Sequence, residues 1–427
     1  MTRATSSRAH YDVAIVGGGM VGVSLALALA QSLPGEGRVL LLESFPLPVQ
    51  TPDFAAQYSP SFDARSTALS FSSYLIYRQL GVWPQMENRA CGIDSIHVSN
   101  RGHFGSTLLQ ATDYDWPALG FVIENAWLGN VLVQCLHEQS SVHTRSPVRV
   151  VSAEPGETGV GLEFDDGDGV SCELLVVADG AGSELRDALG IAVQERPYRQ
   201  HALVANVGHA LPHNGRAYER FTEDGPLACL PLPADDKVSP GKASQRSALV
   251  WSMDKQAAQK LQNCPQEEFL RSLQQRFGYR LGRMLRVGER HSYPLTLVRA
   301  EEQVRSRVVV IGNAAHALHP VAGQGFNLAL RDVARLADVL GRAERSGEAF
   351  YELDCLRQYT DSQYADQELT VAFSDRLPGL FMQPDPALGL MRDFGLFALD
   401  LSPGLKKEFV QYTAGTAASA EYRHVRP

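Results

Sequence analysis

The start of the chain alternates between short apolar runs and polar turns in a repeating order. An apolar run from Val13 to Val16 ends in the triplet Gly17-Gly18-Gly19, and apolar residues at helical spacing follow it. A second apolar run, Val39 to Leu42, stops at the acid Glu43. Strand, glycine-rich turn, helix, strand and acid is the order that a dinucleotide-binding site requires.

Each small residue of this stretch has a physical role in such a site. Gly17 allows the tight turn, Gly19 lets the backbone approach a pyrophosphate, and Gly22 lets the helix lie close to the strand. Met20 belongs to the candidate cofactor-binding residues, and the N-terminus of the helix that follows the turn offers free N–H groups and its positive dipole end to the phosphates. Glu43 can accept hydrogen bonds from both hydroxyls of an adenosine ribose.

A segment rich in proline and polar residues follows, from Pro46 to Ser61, and its composition favours turns and extended chain. The next apolar positions, from Leu69 to Leu80, have helical spacing, and Asp63 is placed to cap that helix. Arg65 is then expected in the first turn of the helix, beside the cofactor. A solvated arginine at this position remains an alternative.

The middle of the chain predicts strands in two settings. Residues 93–124 alternate as strands do, and a helix is expected over Ala126–Gln139. Shorter apolar stretches then lead to the continuous run Cys172–Ala178, which ends in Asp179-Gly180-Ala181-Gly182-Ser183. A buried parallel strand that ends in an Asp-Gly turn delivers ligand-binding groups at the carboxyl edge of its sheet.

Residues 197–300 predict a second, mostly antiparallel sheet that packs over the cofactor domain, with a helix over Pro265–Phe277. Tyr218 and Arg220 lie on one of its predicted strands. Because side chains alternate between the two faces of a strand, this pair points either toward a substrate pocket or away from it, and both readings stay open.

The chain then returns to the first domain. Arg307–Gly312 is another buried strand, and it runs into the stretch NAAHALHPVAGQGFN and a long helix. The remainder, 350–427, is helical in pattern. Its apolar stretch Leu388–Leu401 is either a packed helix or a surface that docks onto a membrane or a partner protein.

Three glycine-rich turns therefore follow three predicted parallel strands, and a cofactor as long as FAD would use all three. The first would hold the pyrophosphate and ribose, and Gly312-Asn313 could reach the ribityl chain. The loop Gly323-Gln324-Gly325, followed by Asn327, would place backbone N–H groups against the isoalloxazine, where a helix N-terminus stabilises negative charge on a reduced flavin.

Composition narrows the function classes. The 427 residues carry a net charge of −9, which argues against a nucleic-acid partner. The six cysteines are scattered without a CxxC pair, as expected for free thiols in a reducing cytosol. The polar start MTRATSSRAH is too short for a signal peptide, and no stretch approaches the ~20 apolar residues of a spanning helix. We expect a cytoplasmic protein that at most lies on the surface of the inner membrane.

The pattern predicts an α/β protein with a Rossmann-like cofactor domain, a mostly antiparallel substrate domain and a helical C-terminal region. The expected segments are 1–92, 125–195 and 305–345 for the cofactor domain, 93–124 and 196–304 for the substrate domain, and 346–427 for the helical region.

The trio GGGMVG, VVADGAGS and GNAAHALHPVAGQGFN resembles the single-component FAD-dependent aromatic hydroxylases, the p-hydroxybenzoate hydroxylase fold group. The stretch FDARSTALS resembles the subgroup that hydroxylates the ring in ubiquinone biosynthesis. Two further stretches, HVSNRGHFG and GRAYERFTEDGPLACLP, resemble the member of that subgroup that acts on 2-polyprenyl-6-methoxyphenol. The wider group has Gly-Asp where this chain has Gly312-Asn313, and Asn can still bond a ribityl hydroxyl without carrying charge.

The resemblance implies a mechanism. NADPH or NADH reduces FAD, O2 adds to give a hydroperoxyflavin, and the distal oxygen attacks an electron-rich phenol. The family lacks a second nicotinamide domain, so Asp179-Gly180 would serve both FAD and a transient NAD(P)H contact. Pro320 would line the pocket beside the reacting oxygen, and Arg65 would lie near the flavin and the substrate entrance.

His316 and His319 lie three residues apart, but no acid or cysteine follows at a metal-binding spacing, so no metal site is expected. Either histidine could assist deprotonation of the phenol, because histidine titrates near neutral pH.

Three alternatives remain open. One is a sibling hydroxylase that acts on another carbon of the same ring. Another is a hydroxylase of a water-soluble aromatic acid. The third is a weakly catalytic flavin-bound scaffold of a ubiquinone-biosynthesis protein complex.

Overall fold

A computed structural model describes residues 9–49, 65–102, 105–234, 245–318, 323–382, 395, 397–398 and 400–417. Its strands, in chain order, are β1 His10–Val16, β2 Val39–Leu42, β3 Ser66–Ser70, β4 Cys91–Gly92, β5 Ser95–Asn100, β6 Ser106–Gln110, β7 Gly120–Glu124, β8 Val142–Arg145, β9 Val150–Gly156, β10 Gly159–Phe164, β11 Gly169–Val177, β12 Val193–His209, β13 Arg216–Phe221, β14 Pro226–Leu232, β15 Gln245–Asp254, β16 Met284–Val287, β17 His291–Ala300, β18 Val304–Arg305, β19 Val308–Val310 and β20 His316–Ala317. The helices are α1 Met20–Ser32, α2 Phe71–Gln79, α3 Trp83–Met86, α4 Asn125–His137, α5 Glu184–Ala188, α6 Lys255–Asn263, α7 Gln266–Phe277, α8 Gln324–Ser346, α9 Leu353–Met382 and α10 Pro403–Thr413.

The first sheet has eight strands, with the order β18-β19-β11-β1-β2-β8 and with β10 and β9 attached beside β11. Strands β19, β11, β1, β2 and β8 run parallel to one another. Apolar side chains of β1 are buried on both faces: Val13 and Ile15 face a core shared with the helices, and Ala14 and Val16 face the opposite core. Burial on both faces explains why these strands read as continuous apolar runs.

The second sheet has nine strands, with the order β20-β17-β12-β15-β14-β13-β5-β6 and with β16 beside β12. Its pairs are antiparallel except for β13 and β5, which run parallel, so the sheet is mixed rather than purely antiparallel. Helix α7 covers one face, where Phe269, Leu273 and Phe277 are fully buried. Helix α6 and strands β16 and β17 were not anticipated from the sequence.

A third sheet, β3-β7-β4, lies between the other two. The predicted segment 93–124 is therefore divided between two sheets. Strands β5 and β6 belong to the large second sheet, whereas β7 belongs to this small one. The sequence-based helix that begins near Asp63 is wrong in its start: Ser66–Ser70 forms a strand paired with β7, and α2 begins only at Phe71. The Ser70 hydroxyl caps α2 by accepting from the Ser73 N–H, and Asp63 itself lies outside the described residues.

The C-terminal region is helical, as expected. Asp366 of α9 holds α8 through two arginines, Arg331 (2.8 and 3.1 Å) and Arg335 (2.8 Å). Most of the apolar stretch 388–401 lies outside the described residues. Within the part of the chain that the structure covers, no helix has the length and apolarity needed to cross a membrane.

Candidate functional site

The carboxyl ends of β1, β11 and β19 meet at one edge of the first sheet. The Ala178 N–H donates to the Val16 carbonyl (2.8 Å), and the Ile311 N–H donates to the Val177 carbonyl (3.0 Å). The three glycine-rich turns that follow these strands are therefore neighbours in space. One extended ligand can contact all of them.

The first turn is shaped by two close backbone approaches. Gly17 has φ +112°, and a Cβ there would lie 2.4 Å from the Ala178 carbonyl oxygen. At Gly22 a Cβ would lie 1.9 Å from the Gly17 oxygen, so α1 can lie against β1 only with glycine at this position. No side chain caps α1 at Gly19, which leaves this end of the helix to a ligand.

A pocket of about 280 Å³ lies at this helix end. Its lining includes Gly18, Gly19 and Met20 from the first turn and Asn125 and Ala126 from the start of α4. Two helix N-termini thus border one pocket, which suits the phosphates of a dinucleotide.

Glu43 stands beside the pocket at the end of β2, as the motif requires. Its Oε2 accepts from the Gly18 N–H (2.6 Å) and its Oε1 from the Phe45 N–H (2.9 Å). These bonds orient the carboxylate against the turn, and a carboxylate retains further acceptor sites for ribose hydroxyls.

The second turn carries Asp179, Gly180 and the helix cap Ser183. Burial raises the pKa of Asp179, and a hydrogen bond with Ser183 partly opposes this rise. Arg186, which is 2% exposed, joins the second and third turns by donating from Nη1 to the carbonyls of Ala181 (3.2 Å) and Ala314 (3.1 Å). Sequence reasoning assigned Arg186 no role, because its pairing with a turn 128 residues away is a tertiary contact.

The third turn begins at Gly312, with φ +64°, which packs against Val21 of α1. Asn313 is exposed beside it. After the undescribed residues 319–322, the chain reaches Gly323 at the N-terminus of α8, also at positive φ (+63°) and close to Ala68 of β3. The third turn therefore links the cofactor edge to the small sheet.

Two predicted cofactor residues of this loop are engaged within the protein. The Asn327 amide accepts from the Ser70 N–H (2.8 Å) and the Ser73 hydroxyl (2.7 Å), and it donates to the carbonyls of Ala68 (2.9 Å) and Gly323 (2.7 Å). Gln324 is 4% exposed and donates to Thr413. At this end of α8, contact with a cofactor is left to Gly325 and the backbone.

A cavity of about 470 Å³ extends from this loop to the second sheet. Gly323, Gly325 and Phe326 border it on one side, and apolar residues of β5, β12, β13, β14 and β15 form its floor. Phe373 of α9 and Phe409 of α10 contribute to its wall, with ring centroids 6.0 Å apart. Its size and apolar lining suit a small organic substrate.

Strand β13 does not present the predicted substrate residues to this cavity as expected. Tyr218 borders it, but the Tyr218 ring packs edge-on against Phe277 of α7 on the other face (5.4 Å). Arg220 lies on that other face too, where Nε donates to the Arg276 carbonyl (3.0 Å), so the structure gives substrate contact by Arg220 no support. The alternate residues Ala217, Glu219 and Phe221 line the cavity instead.

Arg65 lies at the cavity, and it precedes strand β3 rather than standing in a helical turn. Its Nη1 donates to the Tyr293 hydroxyl (3.2 Å) on β17 of the large sheet. This hydrogen bond joins the start of the small sheet to the large sheet at the border of the cavity.

His316 is 2% exposed, and its Nε2 lies 2.5 Å from Oδ2 of Asp332, which is fully buried on α8. His316 does not appear among the described residues that line the cavity, so the structure gives proton transfer to a substrate by His316 no support. His319 and Pro320 lie outside the described residues. Among the residues that are described, no cluster of three histidine, cysteine or acidic side chains could hold a metal ion.

An open sheet edge with three glycine-rich turns, next to an apolar cavity, defines a flavin-binding enzyme. A family model described as FAD binding domain matches residues 10–362, and the chain belongs to this family of FAD-dependent monooxygenases. FAD is its cofactor, and O2 and NAD(P)H are the co-substrates typical of the class.

Three relatives cover nearly the whole chain. Ubiquinone hydroxylase UbiL of Rhodospirillum rubrum is 33% identical over 95% of this chain and 90% of its own length. 3-Demethoxyubiquinol 3-hydroxylase of Escherichia coli is 31% identical over 95% and 98%. The mitochondrial ubiquinone biosynthesis monooxygenase COQ6 of Caenorhabditis elegans is 30% identical over 96% and 97%.

Solved structures agree on the fold. p-Nitrophenol 4-monooxygenase PnpA of Pseudomonas putida superposes with a TM-score of 0.74 over 95% of this chain and 99% of its own, at 19% identity. The probable FAD-dependent monooxygenase pqsL of Pseudomonas aeruginosa gives 0.71 over 91% and 100%, at 21% identity. These likenesses confirm the predicted p-hydroxybenzoate hydroxylase type of fold.

Proposed function

We propose that this chain hydroxylates the aromatic ring of a prenylated phenol in ubiquinone biosynthesis, with 2-polyprenyl-6-methoxyphenol as the substrate. The observation that carries the proposal is the apolar cavity beneath the third turn. The names of the relatives support the pathway, since UbiL and COQ6 are named for ubiquinone.

The charge on the floor of the cavity favours a phenol over an aromatic acid. The cation Arg65 lies at the border of the cavity, where it bonds to Tyr293. The residues that the second sheet contributes to the cavity floor include an acid, Glu219, and no cation. An anionic carboxylate substrate would have to be buried against that acid, which is costly in an apolar site. A neutral phenol with a hydrocarbon tail meets no such penalty.

The residues of the cofactor edge fit FAD, and we assign them accordingly. The first turn with Met20 and Glu43 would hold the pyrophosphate and ribose, Asp179-Gly180 and Gly312-Asn313 the middle of the molecule, and the start of α8 the flavin ring. Bound FAD supplies the redox chemistry, and the protein positions it and excludes water. Arg65 stays our candidate for the substrate entrance, Pro320 stays a prediction from the resemblance, and His316 stays a prediction from the chemistry of histidine.

A second candidate is hydroxylation of another carbon of the same ring. The Escherichia coli relative, named for hydroxylation of 3-demethoxyubiquinol, is nearly as similar to this chain as UbiL is. The lining of the cavity does not distinguish one ring carbon from another, so product analysis must decide.

We further propose that the substrate reaches the protein at the inner-membrane surface or within a biosynthetic protein complex. Leu401 and Leu405 are exposed (66% and 52%) just before the cavity residue Phe409. Exposed apolar side chains next to a substrate cavity suit contact with a bilayer or a partner.

The test is product analysis with the purified, FAD-loaded protein. 2-Methoxy-6-prenylphenol carrying a short tail is supplied with NADPH or NADH and isotopically labelled O2, and the product is examined by mass spectrometry and NMR. We expect one labelled oxygen on the ring. A flavin that stays oxidised under NAD(P)H, with no ring product from this phenol or from a demethoxyubiquinol analogue, would contradict the proposal and favour the scaffold alternative.

A further inference from the structure

One carboxyl group lies within an otherwise apolar row on the floor of the cavity. The strand registers align Val98 of β5, Glu219 of β13, Ala228 of β14, Val250 of β15 and Val204 of β12 across the sheet. All five residues line the cavity. Glu219 is thus the charged member of a cross-strand row that otherwise presents only hydrocarbon.

The side chain of Glu219 makes no hydrogen bond or ion pair with any residue that the structure describes. Its remaining accessible surface opens onto the cavity. Removal from water, with no nearby cation to offset it, raises the pKa of Glu219 to about 7. A buried carboxyl group without a partner is costly to the fold, and such groups concentrate at functional sites.

The other ionisable groups around the cavity do not pair with Glu219. Arg65 and Tyr293 bond to each other at its border. Tyr218 directs its ring to the opposite face of the sheet, and the Cys229 thiol, in that same core, has its pKa raised chiefly by burial and further by Glu219. Helix α9, which packs against β13, contributes Phe373 to the cavity, and its nearby Asp375 pairs with Arg196.

We propose that Glu219 accepts the proton of the substrate's ring hydroxyl, an assignment that rests on the proposed function. The phenol O–H bond breaks, its proton passes to a Glu219 carboxylate oxygen, and the electron pair stays on the ring oxygen. Delocalised into the ring, that pair makes the ring carbon a better nucleophile toward oxygen. One atom of O2 ends on the ring, and the other is reduced to water by the two electrons of NAD(P)H.

Glu219 returns its proton as the ring becomes aromatic again. The ring carbon that gained oxygen loses its hydrogen as a proton to water, and protonated Glu219 donates its proton back to the oxygen of the original ring hydroxyl. The carboxylate is thereby regenerated for the next turnover. A group whose pKa lies near the working pH is suited to both transfers.

The decisive variant is Glu219→Gln, which keeps size and hydrogen bonding but cannot take a proton. We expect product formation to fall about 100-fold, as for loss of a general base. The wild-type rate should rise with pH up to about 7 and then level off, and this inflection should be missing in the variant. Glu223→Gln is the matched control, because Glu223 lies just beyond β13, is 78% exposed and pairs with Arg101.

A binding measurement without NAD(P)H separates this assignment from the proposed function. The wild type should bind 2-methoxy-6-prenylphenol about tenfold more tightly than its methyl ether, because only the phenol can donate to Glu219. In Glu219→Gln this preference should shrink, because a neutral amide oxygen accepts the phenol hydroxyl more weakly than a carboxylate does, while FAD absorbance and cooperative unfolding confirm a folded protein.

The outcomes point in different directions. Equal product rates and equal pH profiles in the wild type and Glu219→Gln would overturn the role of Glu219 and leave the proposed function intact. The wild type could also bind the phenol more tightly than its ether, lose this preference in Glu219→Gln, and yet form no ring product. That result would support Glu219 as the group that accepts the hydrogen bond of the substrate hydroxyl, and it would overturn the hydroxylase proposal.

Discussion

At the scale of single residues, the site depends on a few positions where only one side chain satisfies the geometry. Gly17 and Gly22 are required by backbone atoms that lie too close for any Cβ. Asn327 is required because two donors and two acceptors surround its amide. Glycine spacing revealed the first two residues, whereas three of the four Asn327 bonds join parts of the chain more than 250 residues apart.

Gly22→Ala should prevent α1 from lying against β1, since the added Cβ would meet the Gly17 carbonyl oxygen at 1.9 Å. We expect loss of FAD from the purified protein and a lower midpoint of thermal unfolding, measured by flavin absorbance and circular dichroism. Gly404→Ala in α10 is the control, because nothing lies within 4 Å of a Cβ there. Retention of FAD at the wild-type level in Gly22→Ala would contradict this packing.

Asn327→Asp should destabilise the protein even without FAD. An aspartate cannot donate to the carbonyls of Ala68 and Gly323, so we expect a loss of about 2–4 kcal/mol in the free energy of unfolding. The measurement is urea unfolding of the cofactor-free variant. Asn263→Asp, at an exposed helix end, should change little, and an unchanged Asn327→Asp apoprotein would indicate a role confined to the cofactor.

At the scale of elements, four buried parallel strands were predictable from the sequence, whereas the parallel strand β8 and the faces of the second sheet were not. Strands β1, β2, β11 and β19 are buried on both faces, so their apolar runs are unbroken and easy to recognise. Neither face of β13 is exposed at the outer surface of the protein. Helix α7 packs on one face, and the other face lines the cavity. Alternation therefore gave two equivalent choices, and the sequence alone named Tyr218 and Arg220 as the candidates and did not identify Glu219.

Two further elements were misjudged for reasons of local pattern. Ser66–Ser70 is short and lies next to a helical pattern, and only its pairing with β7 makes it a strand. Strand β17 contains Pro294 and Arg299, which interrupt its apolar alternation. Local sequence does not reveal such pairings, because their partners are distant in the chain.

The contact between the small and large sheets depends on a buried ion pair. Arg246 of β15 and Glu124 of β7 are 2.8 Å apart, with side chains 2% and 6% exposed. Glu124→Gln should cost about 3 kcal/mol in the free energy of unfolding, because it leaves the Arg246 charge buried without this carboxylate. Adding Arg246→Met should recover part of that loss, and strictly additive losses in the double-mutant cycle would show that the pair is not coupled.

At the scale of the whole molecule, the active site is made where two sheets and the C-terminal helices meet. The cofactor edge belongs to one sheet, the cavity floor to the other, and Phe373 and Phe409 contribute to the wall. The order of the glycine-rich motifs in the sequence indicated the cofactor edge, and the resemblance indicated that a substrate domain lies over it. The cavity itself, and the acid within it, depend on contacts that no single segment encodes.

Ionisation of Glu219 in the folded protein should cost free energy of folding, and this cost should be visible in the pH dependence of global stability. Its pKa is about 7 in the folded protein against an ordinary value of 4.5, so between these pH values the unfolded chain releases the proton while the folded protein keeps it. Stability should therefore fall as pH rises through this window, by about 3 kcal/mol for this group. Glu219→Gln lacks the titration and should be more stable than the wild type at pH 8, but not at pH 4.

Urea unfolding of both proteins across that pH range measures the difference, with Glu223→Gln as the exposed control. Because every other titrating group is shared, the difference between the curves isolates Glu219. Parallel curves would mean that Glu219 ionises without cost, through a partner or water that neutralises its burial. A widening gap in favour of the glutamine would mean that this protein gives up stability to keep an acid where its substrate binds.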